Sequence, residues 1–407
     1  MKSGRLLDPK IAGAPAMPRA GEFDRWLGVL MFAGLTWLIV GLAIMPAGPS
    51  FNPGRWYQRV LALTLYLPAL LLAVRHPRVA LDFWRRPLMP AAVLLLAWGW
   101  LSLLWGHAER PADEAARNLS ILLFLLGWKL ALEADLRRTR WLLVGTGFVY
   151  AAVAIPAIAW GLLYPPTDGR LVGFGVMANA NLAAGAMGAA LVWLWPWACG
   201  DWRQRALKWV AISLLAAFVL LTEARSALGA LFCALLAMVL ARGGRRAPWY
   251  ALVVALLGAI GFVAGLPVLT ERGWSLRPEI LAQSMRLFLQ HPWLGHGQGT
   301  PFLLHAGAET LTHAHNLFSQ LAIELGIPGL LLWTGLWLAL AWRAWRHRRE
   351  VLGQIVLGLW AFGTVLVQFD LPYLLDSPRP GWLFTWLPLA ASMALGRDAA
   401  GDEAATP

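Results

Sequence analysis

Long uncharged apolar runs, separated by short stretches rich in arginine, glycine and proline, give this chain its pattern. Trp26 to Met45, Leu88 to Trp105, Trp141 to Leu163 and Trp249 to Leu269 each continue for about 18 to 23 residues without a charge, the length an α-helix needs to cross roughly 30 Å of hydrocarbon. Read in order, the pattern predicts about twelve spans, at 26–46, 57–74, 88–105, 119–133, 141–163, 174–198, 207–221, 226–241, 248–269, 316–342, 351–370 and 380–396. Ten-residue segments of strict alternation, the mark of an outer-membrane barrel, are missing from the pattern, which favours helices in an inner-type membrane. A single helix over 207–241 would be about 51 Å long and would leave basic ends on both sides of the membrane. A hairpin turning at Thr222-Glu-Ala-Arg-Ser226 removes both problems. The fold class expected is an all-α polytopic membrane protein of about 12 transmembrane helices, with residues 1–407 forming one membrane domain.

Composition agrees with this pattern. Hydrophobic residues make up 59% of the chain and charged residues 14%, far too apolar for one soluble core. The first 25 residues carry five basic groups but no short apolar segment with a cleavage site of its own, so no cleaved signal peptide is expected. Cys199 and Cys233 lie in or beside apolar segments, where a lone thiol acts as a small hydrophobe, and no disulfide framework is expected. A net charge of +12 could suggest nucleic acid, but loops facing anionic lipid explain it first, so nucleic acid is not an expected partner.

Sidedness tests the span pattern. With the amino terminus inside, 24 of the 34 basic residues fall inside, including all four lysines, Lys2, Lys10, Lys129 and Lys208. The ten left outside are Arg55, Arg59, Arg110, Arg117, Arg170, Arg225, Arg272, Arg277, Arg286 and Arg379. Guanidinium forms bidentate hydrogen bonds with phosphate oxygens and is less strongly hydrated than ammonium, so an arginine-only outer face suits a phosphate held at a membrane surface. The longest outer segment, 271–315 between spans nine and ten, holds five of the eight histidines and is expected to carry active-site elements. Within it, Pro278 to Gln290 could form an amphipathic helix on the membrane, ended by His291-Pro292 and the turn Gly295-His-Gly-Gln-Gly299.

Four patches share that outer side. Thr312-His313-Ala-His315-Asn316 stands where the tenth span begins, followed by Gly326-Ile-Pro-Gly329. Arg277 precedes His291-Pro-Trp-Leu-Gly-His-Gly297 by fourteen residues. Arg170-Leu-Val-Gly leads to Asn179-Ala-Asn181, and Arg225 sits in the turn Thr222 to Ser226. In order and sidedness this set resembles the lipopolysaccharide O-antigen ligases and their relatives, the O-antigen polymerases and protein O-oligosaccharyltransferases, with Ala180 where that family usually has proline. The resemblance implies transfer of O-antigen from an undecaprenyl diphosphate carrier to lipid A-core, by a multi-pass protein of the bacterial inner membrane whose active site faces the periplasm. The implied partners are therefore the lipid-linked O-antigen as donor, lipid A-core as acceptor and the membrane lipid itself.

The residue types fit that chemistry. A sugar on a diphosphate is already activated, so transfer outside the cell needs no ATP and no cofactor; it needs stabilisation of the charge that grows on the departing phosphate. Arg225 and Arg277 are the first candidates for this, then Arg170. The acceptor hydroxyl must lose a proton, which an imidazole near its ordinary pKa can take, and His315 is the candidate base. The alternative role for His315 is to hydrogen-bond the acceptor or cap the tenth helix. His313 is a candidate partner, although histidines two apart point to different sides of a helix. Asn316, Asn179, Asn181 and Arg286 complete the substrate-binding candidates; the amides could instead bond neighbouring helices. Glu324, inside an apolar helix, is costly there and for that reason a functional candidate that could meet an outer arginine, with helix packing nearly as open a role. His291, His296, His305, His313 and His315 form no recognised zinc spacing, and no outer carboxylate cage suits magnesium, so metal-independent transfer is expected. A transporter of lipid-linked sugar would also have many spans, but it needs polar groups near the bilayer midplane rather than arginines at outer helix ends.

Overall fold

In the computed structural model, residues 21–48, 51–166, 168–272, 276–369 and 373–396 are described. The basic amino-terminal tail before residue 21 and Arg397, both assigned to the inside by sequence, lie outside these residues. The chain opens with α1 (Glu22–Ile44), α2 (Arg55–Leu61) and α3 (Leu67–Arg75); a π-turn at Ala62–Tyr66 makes α2 and α3 one continuous rod. Next come α4 (Pro77–Leu81), α5 (Met89–Ser102), α6 (Pro111–Leu132), α7 (Leu136–Leu163) and α8 (Ala180–Leu194). Then follow α9 (Trp202–Leu221), α10 (Arg225–Arg242), α11 (Ala247–Arg272) and α12 (Arg277–Gln290). A small antiparallel hairpin, β1 (Leu304–Ala306) with β2 (Glu309–Leu311), precedes α13 (Leu317–Arg346), α14 (Val351–Leu366) and α15 (Trp386–Ser392).

This is a multi-pass membrane architecture. Seven helices among the described residues are long and apolar enough to cross a bilayer: α1, the α2–α3 rod, α6, α7, α9, α10 and α13. Shorter apolar helices, among them α5, α8 and α14, pack inside the bundle. Helix starts follow local chemistry. Asp135, Asn179, Asp201 and Asn316 cap α7, α8, α9 and α13 by accepting from the amides that begin each helix, while proline in the first turn opens α3, α5, α6 and α12. The chain does break at Thr222–Ala224, between α9 and α10. The 304–311 hairpin departs from an all-α fold; Gly307, at φ 56°, makes its turn.

The centre of the bundle is α8, α10 and α14. Buried small residues on α8 let its neighbours approach closely, as small residues do between membrane helices. A Cβ at Gly188 would lie 2.6 Å from Phe362 and 3.6 Å from Leu231, and one at Gly358 would lie 2.6 Å from Met238 and 2.8 Å from Val192. These pairs set α10 antiparallel to α14, so the start of α10 and the end of α14 share one end of the bundle. Leu317 N–H donates to Val367 O at 2.8 Å, which brings the start of α13 to that end as well. At the opposite end Arg140 donates to Ala198 O at 3.2 Å, Lys208 to Trp197 O at 2.7 Å and Arg343 to Leu395 O at 2.9 Å. Arginines of the two ends thus belong to different clusters.

Candidate active site

Three turns deliver the candidate residues to one end of the bundle. The first joins α9 to α10. Thr222 Oγ1 donates to Val219 O at 2.6 Å and accepts from Ala224 N–H at 3.2 Å, and Glu223 between them adopts φ 50°. Arg225 then opens α10. Arg170 grips the same turn, its Nε donating to Thr222 O at 3.0 Å while its other arm donates to Asn181 Oδ1 at 2.6 Å. Leu171 N–H adds a bond to Leu221 O at 3.0 Å, so the 170 patch and the 222 turn are one piece. Asn179 is used locally: its Oδ1 accepts from Asn181 N–H and Leu182 N–H as the cap of α8.

The second turn begins α12. Leu276 adopts φ 56° and Arg277 follows, its guanidinium 4.8 Å from the Phe369 ring beyond the end of α14. The helix expected at Pro278–Gln290 is α12, with Ile280 and Ser284 on its buried side. Arg286 lies on the exposed side of α12.

The third turn carries the histidines, and here the helical geometry expected of them gives way. His313 and His315 precede the cap of α13 rather than lying within the helix. His315 adopts φ 50°, which turns the chain so that the two rings stand 4.1 Å apart, and His313 in turn lies 5.9 Å from the Tyr373 ring. Burial, reinforced by the neighbouring His315 and Arg379 charges, holds His313 down at about 4, so it is neutral at pH 7. Burial pushes the Tyr373 phenol up to about 12. The cap role belongs to Asn316, whose Oδ1 accepts from Phe318 and Ser319 N–H at 2.9 and 3.0 Å and whose amide donates to Gln368 Oε1 at 2.9 Å. The segment 367–369 therefore joins Asn316 to Arg277.

Behind the histidines runs a buried amide relay. Ala314 N–H donates to Gln320 Oε1 at 3.0 Å, and Gln320 Nε2 donates to Glu324 Oε1 at 2.8 Å. Glu324, for which sequence suggested an outer arginine, is thus hydrogen-bonded to Gln320. Gly326 then breaks α13 at φ 64°, ahead of Pro328. The freed carbonyls are taken by the upstream glycine turn: His296 N–H donates to Ile323 O at 2.8 Å and Gly297 N–H to Glu324 O at 2.9 Å. A side chain at Gly295 would strike the Glu324 backbone, and one at Gly326 would strike Trp293, so two motifs thirty residues apart are one joint.

Five non-glycine residues adopt positive φ among the described residues. Three of them are Glu223, Leu276 and His315, placed two residues before Arg225, one before Arg277, and at the candidate base itself. Such conformations cost on the order of 1 to 3 kcal/mol each and gather where function fixes the backbone.

A family model described as O-Antigen ligase matches residues 210–334, the stretch that holds Arg225, Arg277, the glycine turn, His315 and the α13 break. The chain is also 31% identical over 346 residues to an O-antigen ligase of Pseudomonas aeruginosa, covering 83% of this chain and 85% of that protein. The chain belongs to the O-antigen ligase family.

Sequence missed one part of this family member's site end. Asp376 is 4% exposed in its side chain and is shared by Arg117 Nε at 3.4 Å and Arg379 Nε at 2.7 Å. Arg117 also pairs with Glu114 at 2.7 Å, and Gln298 links Glu114 to Asn118. The available signal was Asp376, three residues before Arg379, together with a glutamine inside the glycine turn. Among the described residues no three histidine, cysteine or acidic side chains are grouped to hold a metal ion, and the five histidines divide into a His291–His296 pair, the His313–His315 pair and the exposed His305.

Proposed function

We propose that this protein transfers O-antigen from undecaprenyl diphosphate to lipid A-core at the periplasmic face of the bacterial inner membrane, without a metal. The observation that carries this reading is the meeting, at one end of the bundle, of three turns that present Arg225, Arg277 and His315, each through a left-handed non-glycine residue. In the reaction, the acceptor hydroxyl oxygen attacks the anomeric carbon of the donor sugar while His315 takes the hydroxyl proton. The bond from anomeric carbon to phosphate oxygen breaks and its electron pair leaves with the diphosphate. Arg225 and Arg277 stabilise the charge that grows there, and Arg170 holds the Arg225 turn from behind. Neutral His313, its ring 4.1 Å from that of His315, orients the base without competing for its proton.

Placement of this end in the periplasm is supported by the sorting of the basic residues, with all four lysines assigned to the other side. An O-antigen polymerase or a protein O-oligosaccharyltransferase would use the same donor and differ only in acceptor. The deciding assay offers lipid-linked O-antigen to the purified, exhaustively chelated protein with lipid A-core, with a second lipid-linked unit, or with a pilin-like protein. Product on lipid A-core is expected. Product only on one of the other acceptors moves the protein to that relative's activity, and no product on any acceptor, with transport into sealed vesicles instead, overturns transfer altogether.

A further inference from the structure

At the end of the bundle opposite the site, α7, α8 and α9 enclose a cavity of about 530 Å³, within the range of ligand pockets. Its walls are apolar, formed by Trp141, Val144, Phe148, Leu194 and Leu207. Its rim is cationic, formed by Arg137, Arg140 and Lys208. Two of these cations, Lys208 and Arg140, are held in place, while Arg137 is exposed beside them. Lys208 Nζ donates to Trp195 O at 3.1 Å and Trp197 O at 2.7 Å, and the Arg140 guanidinium lies 5.5 Å from the centre of the Trp197 ring. The nearby acids are engaged elsewhere: Asp135 pairs with Arg138 at 3.0 Å, Asp201 caps α9 and Glu350 pairs with His347 at 2.6 Å. No carboxylate pairs with Arg137, Arg140 or Lys208 among the described residues.

We infer that this cavity binds one anionic diacyl phospholipid of the surrounding leaflet, its phosphate on the Arg137–Arg140–Lys208 rim and an acyl chain along the Val144–Phe148 wall. Charge complementarity selects this occupant. A zwitterionic lipid brings its own cation to a rim that already holds three, whereas an anionic headgroup neutralises the rim, and the lipid-facing wall accepts only hydrocarbon. A lipid seated there would brace α9 against α7 and α8 at the end remote from the Thr222 turn.

The test uses the full-length protein in mixed micelles of phosphatidylglycerol and phosphatidylcholine with matched chains, with retained lipid read by native mass spectrometry. One phosphatidylglycerol per chain should be retained over phosphatidylcholine. An Arg137→Gln/Arg140→Gln variant should lose about tenfold in that retention, because each basic group near an anionic headgroup contributes separately. Val144→Trp, which fills the cavity and leaves every cation in place, should lose it as well. Arg245→Gln/Arg246→Gln, which removes two exposed cations outside the cavity, should keep it. Equal retention of the two lipids, full retention by Val144→Trp, or equal losses from the two arginine pairs would each overturn the site and leave only general surface charge.

Discussion

Arg117 and Arg379 divide the two oxygens of Asp376 between them, whereas Arg170, at the same end of the bundle, is held by a carbonyl and an amide at 3.0 and 2.6 Å. Both arrangements fix a guanidinium in space, but only the first cancels its charge. Arg225 resembles Arg170 in this respect, since it makes no ion pair among the described residues. A cation meant to meet a phosphate from outside must be oriented without being neutralised, because a resident carboxylate would compete with the substrate for the same donors. Under the proposed reaction, the Asp376 set would serve as framework and the Arg170–Arg225 set as the surface that the framework presents.

The sharpest way to break this division is to change the presented residues while leaving the framework intact. His315→Ala should lower the single-turnover transfer rate by about 10²- to 10⁴-fold with donor affinity nearly unchanged, since base catalysis acts on the acceptor. Arg225→Lys and Arg277→Lys should damage transfer although the charge is kept, because ammonium cannot form the planar fork. Donor affinity and single-turnover rate in well-folded variants decide the matter. Lysine variants indistinguishable from the parent, or a histidine variant at full rate, would sink the assigned roles even within this family.

The framework should fail differently. Asp376→Ala leaves two partly buried guanidiniums without their shared partner and should cost about 3 kcal/mol of stability or more, read as a lower midpoint of thermal unfolding in detergent. Arg170→Ala should cost clearly less, because the Thr222 carbonyl and the Asn181 amide are neutral. If Arg170→Ala proved as destabilising as Asp376→Ala, the distinction between framework and presented surface would be lost.

Gln320 tests the connection between the two regions. Gln320→Leu keeps the volume but leaves the Ala314 N–H and Glu324 without their partner, a loss of about 1 to 3 kcal/mol for each buried group so stranded. Because the Ala314 bond lies next to the left-handed His315, the rate should fall by about tenfold or more beyond any loss of folded protein. A variant that melts early yet transfers at the parental rate per folded molecule would show that the relay supports only the fold.

These contrasts explain what sequence could disclose. Apolar run length pointed to a multi-pass helical protein, and seven helices among the described residues are long and apolar enough to cross a bilayer, because a helix in hydrocarbon must satisfy its own backbone and so writes its length into composition. The break at Thr222 and the amphipathic helix α12 were legible for the same reason. The close approach of His313 to His315 was not, because helical spacing sets such residues apart and only the left-handed turn at His315 brings the rings together. Nor was the joint between Gly295–Gly297 and the α13 break. Each glycine signals a special backbone, but nothing local says that the carbonyls of Ile323 and Glu324 are the acceptors. Asp376 escaped notice because its two arginine partners are far apart from one another in sequence and meet only through the fold.

The smallest expected effect concerns acid. His313 is held at about 4 against an ordinary 6.5, chiefly by burial and then by the His315 and Arg379 charges, so the folded chain resists a proton that the unfolded chain accepts. Between those values the unfolded state binds more protons, and stability must rise with pH. The contribution is present in full above pH 6.5 and is lost as pH falls towards 4. His313→Phe keeps a ring against His315 and Tyr373 but removes the titration, so its melting midpoint should fall less than that of the parent over this window. The difference should be at most a few degrees, as befits one half-buried group in a chain of this size. Parallel curves for parent and variant would mean that His313 is no more protected from protons when folded than when unfolded. The neutral, orienting role proposed for it beside His315 would then have to be abandoned.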